Sequence, residues 1–185
     1  IELTKLYPFK ISVERGKNSL IVYKERTEEV HGKSRLGFHI NPYNFDSTDE
    51  KDLFQYLSEF LNKNEAIVDV YFTGGVVDST HNDFFFEYWS PEKKRIAKYF
   101  PDFLIETTKG RFLVVEVKAR REKETYEQNK RKYSGKIHDL FDEVFAKEIG
   151  FRQFQEANKN FEYRIIFDAT LREKQLELLD SMRKL

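Results

Sequence analysis

Apolar side chains along this chain repeat with two periods, and the places where the period changes mark the elements. Between residues 47 and 62, Leu53, Phe54, Leu57, Phe60 and Leu61 fall at helical spacing and predict a helix with one buried stripe. Ser47-Thr48-Asp49-Glu50 fits the S-x-x-E capping box that starts such a helix, and Asn62 and Asn64 mark its end. Upstream, Ile11 and Val13, then Leu20 and Val22, alternate on either side of a turn at 15–18. Residues 7–36 therefore read as short antiparallel strands, followed by a loop over 37–46. Further strands are predicted at 66–72, 83–89, 98–107 and 111–119, the last two joined through Thr108-Lys109-Gly110. A helical region over 122–158 follows, divided at Gly135 and Gly150, with Ile137, Leu140, Phe141, Val144, Phe145 and Ile149 as its apolar stripe. Residues 161–167 read as a strand and 170–183, with Leu171, Leu176, Leu178 and Leu179, as a closing helix.

This order predicts an α/β fold, a mixed sheet flanked by helices. Strands 111–119 and 161–167, joined by a helical crossover, should be parallel, and the other pairings antiparallel. Two units are expected: a small β-rich appendage or linker over 1–45 and the main domain over 46–185.

Composition narrows the classes. With 39% hydrophobic and 16% aromatic residues the chain is no disordered tract, and no uncharged run approaches the roughly 20 residues of a membrane helix. No basic-then-apolar leader opens it, which gives the expectation of a cytoplasmic protein, and its start at Ile1 rather than Met is expected of a piece of something longer. Zero cysteines exclude disulfides, thiol nucleophiles and Cys-ligated zinc. The 32 basic and 32 acidic residues give zero net charge, which argues against a nucleic-acid binder until it is divided by region. Residues 37–90 carry −8 and residues 91–136 carry +7, with +3 before and −2 after. Local field rather than the total steers a polyanion.

The positive block holds the informative stretch, residues 99–118. On a strand, Glu116 and Lys118 share one face and Val115 and Val117 the other. If Gly110 closes a three-residue loop, Thr107 pairs with Arg111, and the ladder carried onward sets Asp102 opposite Glu116. A two-residue loop would instead set Asp102 opposite Val117 and separate the carboxylates by face, so the chemistry depends on register. Two carboxylates at that separation favour a cation between them. Hard oxygen ligands with open positions suit Mg²⁺ or Mn²⁺, and Lys118 is placed to orient a water or stabilise developing charge. An ordinary solvated hairpin is the plainer alternative, but Phe103-Leu104-Ile105 and Phe112-Leu113-Val114-Val115 mark both strands as buried.

Pro101-Asp102 with Glu116-Val117-Lys118 resembles the PD-(D/E)XK nuclease signature. The run from Asp46 to Glu50, through residues 84–88, to Tyr99-Phe100-Pro101-Asp102 is similar to the C-terminal nuclease domains of type III restriction enzymes and related helicase–nuclease fusions. The likeness covers roughly residues 46–168. It implies a restriction-endonuclease-like core of order αβββαβ, in which Asp102 and Glu116 ligate metal through carboxylates and Val117 through its carbonyl. Lys118 would position the attacking water, and Glu50 would match an acidic residue of the first helix, catalytic and metal-binding. Glu50 also has a purely structural reading as the closing member of the capping box.

Arg120, Arg121, Lys123, Lys130, Arg131, Lys132 and Lys136 follow directly and are candidates for backbone phosphates, or else a solvated helix face. Phe84, Phe85, Phe86 and Trp89 read as core rather than base-stacking residues. His31, His39, His81 and His138 lack ligand spacing, His81-Asn82-Asp83 is too bare to be a nuclease motif, and Thr73-Gly74-Gly75 lacks the ending of a phosphate-binding loop. The expectation is an Mg²⁺-dependent endonuclease, with Mn²⁺ able to substitute, acting on DNA without a membrane. A helicase or translocase would sit elsewhere, and a homodimer would serve double-strand cutting. The alternatives are a catalytically silent nucleic-acid-binding or motor-associated module, and a metal enzyme acting on a small phosphorylated substrate.

Overall fold

A computed structural model describes residues 18–24, 42–61, 64–73, 84–168, 176–177 and 180–181. Residues 15–17 of the predicted turn, most of the strands over 7–36, and the closing helix over 170–183, apart from the helical pairs 176–177 and 180–181, lie outside these residues. So do His31, His39, His81 and Gly74-Gly75.

The expected loop over 37–46 contains a strand. β1, Ile21–Val22, pairs antiparallel with β2, Tyr43–Asn44, and Val22, Tyr43 and Phe45 are buried in one cluster with the main sheet. Helix α1, Thr48–Leu61, buries Leu53, Phe54 and Leu57 as its spacing predicts.

A mixed sheet of four strands forms the centre, in the order β3, β6, β7, β8. β3 (Ile67–Phe72) and β6 (Phe103–Thr107) pair antiparallel, as do β6 and β7 (Phe112–Lys118), whereas β7 and β8 (Phe161–Phe167) are parallel. Leu113, Val115 and Val117 of β7 pack on the α1 side of the sheet, and Val114 packs on the other. That alternation leaves both faces apolar, as a strand covered on both sides requires.

Two expectations for the strands need correction. The stretch 98–107 is not one strand but the end of β5 (Arg95–Tyr99) and the whole of β6, parted at Phe100-Pro101-Asp102. Proline has no amide to continue a ladder. The strand expected at 83–89 is β4 (Phe86–Ser90), and it does not join the sheet. It pairs with β5 in a separate hairpin, whose Phe86, Tyr88 and Tyr99 are buried with residues of α3. Phe84 stacks on Phe161, and Phe85 lies against Phe100, so this aromatic run is packing.

The helical region is α2 (Lys123–Lys132) and α3 (Glu143–Ala157) with short single turns at Arg120–Glu122 and Ile137–Asp139. Gly135, at φ +95°, lies between the helices. Gly150, expected as a divider, sits inside α3. The expected stripe is likewise split between elements: Leu140, Val144 and Phe145 are buried, while Ile137 and Phe141 are exposed. The buried Asn129 sets the path between the helices. Its amide donates to the Asp139 carbonyl at 2.7 Å, and its oxygen accepts the Phe141 and Asp142 amides at 2.9 and 2.8 Å. Asp142 then caps α3 by accepting the Phe145 amide at 2.8 Å.

Candidate active site

The β6–β7 turn sets the site. Gly110, at φ +69°, takes the left-handed position that closes a three-residue loop. The Thr107 amide then donates to the Arg111 carbonyl at 2.9 Å, and Phe103 pairs with Val115. The pairing ends at Phe103 and Val115, and the same ladder carried one step further would set Asp102 opposite Glu116. β3 fixes the same end from its other side, because the Thr73 amide donates to the Asp102 carbonyl at 2.9 Å and the Thr73 hydroxyl bonds the Pro101 carbonyl.

The Asp102 carboxylate accepts the Val117 amide through Oδ2 at 2.7 Å. Burial raises its pKa, against the opposing pull of Lys118, the Val117 amide and Lys147. Glu116 is 1% exposed, and its Oε1 receives two ammonium groups, Lys118 at 2.5 Å and Lys147 at 3.3 Å. Its Oε2 is buried with no hydrogen-bond partner among the described residues. Desolvation pushes the Lys118 pKa down, but Glu116 and Asp102 together outweigh it and hold the ammonium above its ordinary value. The buried hydroxyls of Tyr99 and Tyr163 also lack partners among the described residues, and burial with Glu116 and Asp102 nearby keeps Tyr163 protonated.

Glu50 reaches the site from α1 while also capping that helix. Its amide donates to the Ser47 hydroxyl oxygen at 3.2 Å, and its carboxylate takes the Ser47 hydroxyl at 2.8 Å and the Asp46 amide at 3.4 Å, so the return bond reaches the residue before Ser47. Burial and then the charge of Asp102 lift its pKa to about 7, against the Ser47 bond. The unfolded carboxyl ionises near its ordinary 4.5. Folding therefore holds a proton between the two values, and stability falls as pH rises through that window and is level above it. Glu50→Gln keeps the capping box and removes the charge. Melts from about pH 4.5 to 8 should show this loss in wild type and not in the variant. Allowing for residual contact with water, the variant should be more stable at about pH 8 by on the order of 1–2 kcal/mol. Parallel curves would remove Glu50 from the neighbourhood of Asp102.

The neighbouring Asp102 and Glu116 carboxylates, with a Glu116 Oε2 that has no partner among the described residues, fit a hard divalent ion. Among the described residues no three His, Asp or Glu side chains are gathered closely enough to hold a metal by themselves. Mg²⁺, however, is commonly held by one or two carboxylates with waters and substrate phosphate completing its shell.

Lys147 carried no signal as a motif. The detectable hint was a charge on an apolar helix face, since Val144 and Phe151, three residues before it and four after, are both buried. Arg120, Arg121, Lys123, Arg131, Lys132 and Lys136 are exposed on and around α2. Lys130 is exposed too but tied to Tyr126 at 3.0 Å and Glu148 at 3.8 Å, and Lys132 lies over the Phe141 ring. His138 is exposed beside Asp139. A cavity of about 630 Å³ between α2, α3 and β8 does not include Asp102, Glu116 or Lys118. Arg152 and Arg164, which line it, are bonded to Glu148 and Glu162. No helix among the described residues is long and apolar enough to cross a membrane. No protein-family model, curated protein or solved structure matches the chain.

Proposed function

We propose that this chain is a metal-dependent nuclease domain of the PD-(D/E)XK kind, hydrolysing phosphodiester bonds in DNA. The observation that carries the reading is the buried Glu116 carboxylate with two lysines on one oxygen and, among the described residues, no partner on the other, while Asp102 sits on the next amide and shares Lys118 with it. The element order also supports it. Leaving out the β4–β5 hairpin, α1, β3, β6, β7, the helical crossover and β8 follow the αβββαβ order.

Asp102, Glu116 and the Val117 carbonyl would hold Mg²⁺ or Mn²⁺, with Glu50 behind them. When bound, such an ion supplies Lewis acidity and a water of lowered pKa. Lys118, anchored on Glu116, is placed to orient the attacking water and to offset charge building on the phosphate. Arg120, Lys123 and Arg131 share a groove of about 460 Å³ with Gln128, a surface for flanking backbone phosphates. Arg121, Lys130 and Lys132 extend that surface. Glu124 and Glu127 line the same groove, which keeps independent DNA affinity low. A motor domain or subunit would supply the remainder, and a second copy of the chain would cut the opposite strand.

The test is incubation of the chain with linear duplex DNA, single-stranded DNA and RNA in Mg²⁺, Mn²⁺ or EDTA, beside Asp102→Ala. Cleavage of DNA that needs the ion and Asp102 is expected. Binding without cleavage of any substrate would make this a silent module, and equal cleavage by wild type and Asp102→Ala would move the site elsewhere.

A further inference from the structure

Lys147 is a charged group at the centre that the nuclease reading leaves without a task. It reaches Glu116 from α3, and its ammonium lies 4.2 Å from the centroid of the Tyr99 ring and 3.3 Å from Glu116 Oε1. That oxygen already has Lys118 at 2.5 Å, so pairing of the buried carboxylate does not require a second lysine. Both lysine side chains keep about a fifth of their surface exposed, 20% for Lys118 and 18% for Lys147, so each can move without crossing the core.

Charge balance shows what the second lysine does. Asp102 and Glu116 are matched one for one by Lys118 and Lys147. A divalent ion on the carboxylates leaves the centre positive, by two charges with Glu50 protonated and by one with Glu50 ionised. That excess is repelled by the lysine ammonium groups and relieved by a phosphodiester anion. Lys118 stays on the same strand face as Glu116, whereas Lys147 has a four-carbon stem on a different element and an aromatic face to rest on.

We propose that Lys147 is a phosphate-contacting lysine that caps Glu116 while the ion is absent and turns to a non-bridging oxygen of the scissile phosphate when the ion takes the carboxylate. This rests on the metal-nuclease reading above. It predicts that ion and phosphate respond to Lys147 in opposite directions, which a merely structural lysine would not produce.

The test is Lys147→Met and Lys147→Arg, each confirmed as folded by circular dichroism, with two measurements. Mn²⁺ alone is titrated calorimetrically, and a fluorescent DNA duplex is titrated by anisotropy in Ca²⁺. With one repelling cation gone, Lys147→Met should bind Mn²⁺ about three- to tenfold more tightly. It should bind the duplex about tenfold more weakly, and Lys147→Arg should recover most of the duplex affinity. Wild type that binds no Mn²⁺ would overturn the metal reading and this one with it. Wild type that binds Mn²⁺, with Lys147→Met unchanged or weakened for the ion, overturns the role of Lys147 alone. Tighter Mn²⁺ binding without loss on the duplex overturns the phosphate contact. If Lys147→Met fails to fold, Lys147→Gln takes its place, and the same outcomes decide.

Discussion

Glu116→Gln should reduce metal-dependent cleavage by about 10³-fold or more, measured in single turnover at saturating Mg²⁺. The substitution keeps the shape of a side chain that is 1% exposed and removes its charge. An amide can still offer one oxygen to Lys118, but it places an NH₂ where Oε2 has no partner among the described residues, and an NH₂ cannot ligate an ion. The loss should also appear in titration, as Lys118 gives up the partner that contributes most to raising its pKa. Stability should fall much less than the 3–5 kcal/mol typical of a broken buried pair. Asp102 still sits beside both lysines, and each is exposed enough to find water. A cost of about 1–2 kcal/mol in urea unfolding is therefore expected. A variant that cleaves within tenfold of wild type would dismiss Glu116 as a ligand.

The register of the β6–β7 hairpin was legible because one local feature fixes it. A three-residue loop ending at Gly110 dictates the pairing of Thr107 with Arg111, and counting back gives Phe103 opposite Val115, the last pair before Asp102. The two readings of Glu50 proved compatible, since the carboxylate that closes the capping box is also the one raised by Asp102. What stayed hidden depends on partners distant in sequence. No property of residues 84–99 says that they leave the central sheet and form a hairpin against α3, because an apolar strand reads alike in either place. The partner of Lys147 was hidden for the same reason. It lies 31 residues away, and only the placement of α3 over β7 brings the two together.

Gly150 shows how tightly that placement is held, and Gly150→Ala should lower stability by about 2–4 kcal/mol. In an exposed helix the same change would be stabilising by about 1 kcal/mol, because alanine is the better helix former. Here a Cβ built on Gly150 would lie 2.5 Å from Tyr88 Cβ, 2.8 Å from the Glu87 carbonyl oxygen and 3.0 Å from Tyr88 Cα. Two of these atoms are backbone and the third is bonded to it, so no rotamer change makes room, and α3 must part from β4. Gly135→Ala is the control. It has nothing within 4 Å of an added Cβ and is restrained only by its φ of +95°, so its cost should stay near about 1 kcal/mol. At about 2–4 °C per kcal/mol for a chain of this size, Gly150→Ala should lower the melting temperature by roughly 4–16 °C. A melting temperature equal to or above wild type would mean that α3 and β4 do not approach this closely. The same substitution bears on chemistry, because Lys147 precedes Gly150 by less than one helical turn. An α3 pushed off Tyr88 carries the Lys147 ammonium away from Tyr99 and Glu116 together, so the folded fraction of Gly150→Ala should follow Lys147→Met, with Mn²⁺ bound more tightly and duplex DNA more weakly.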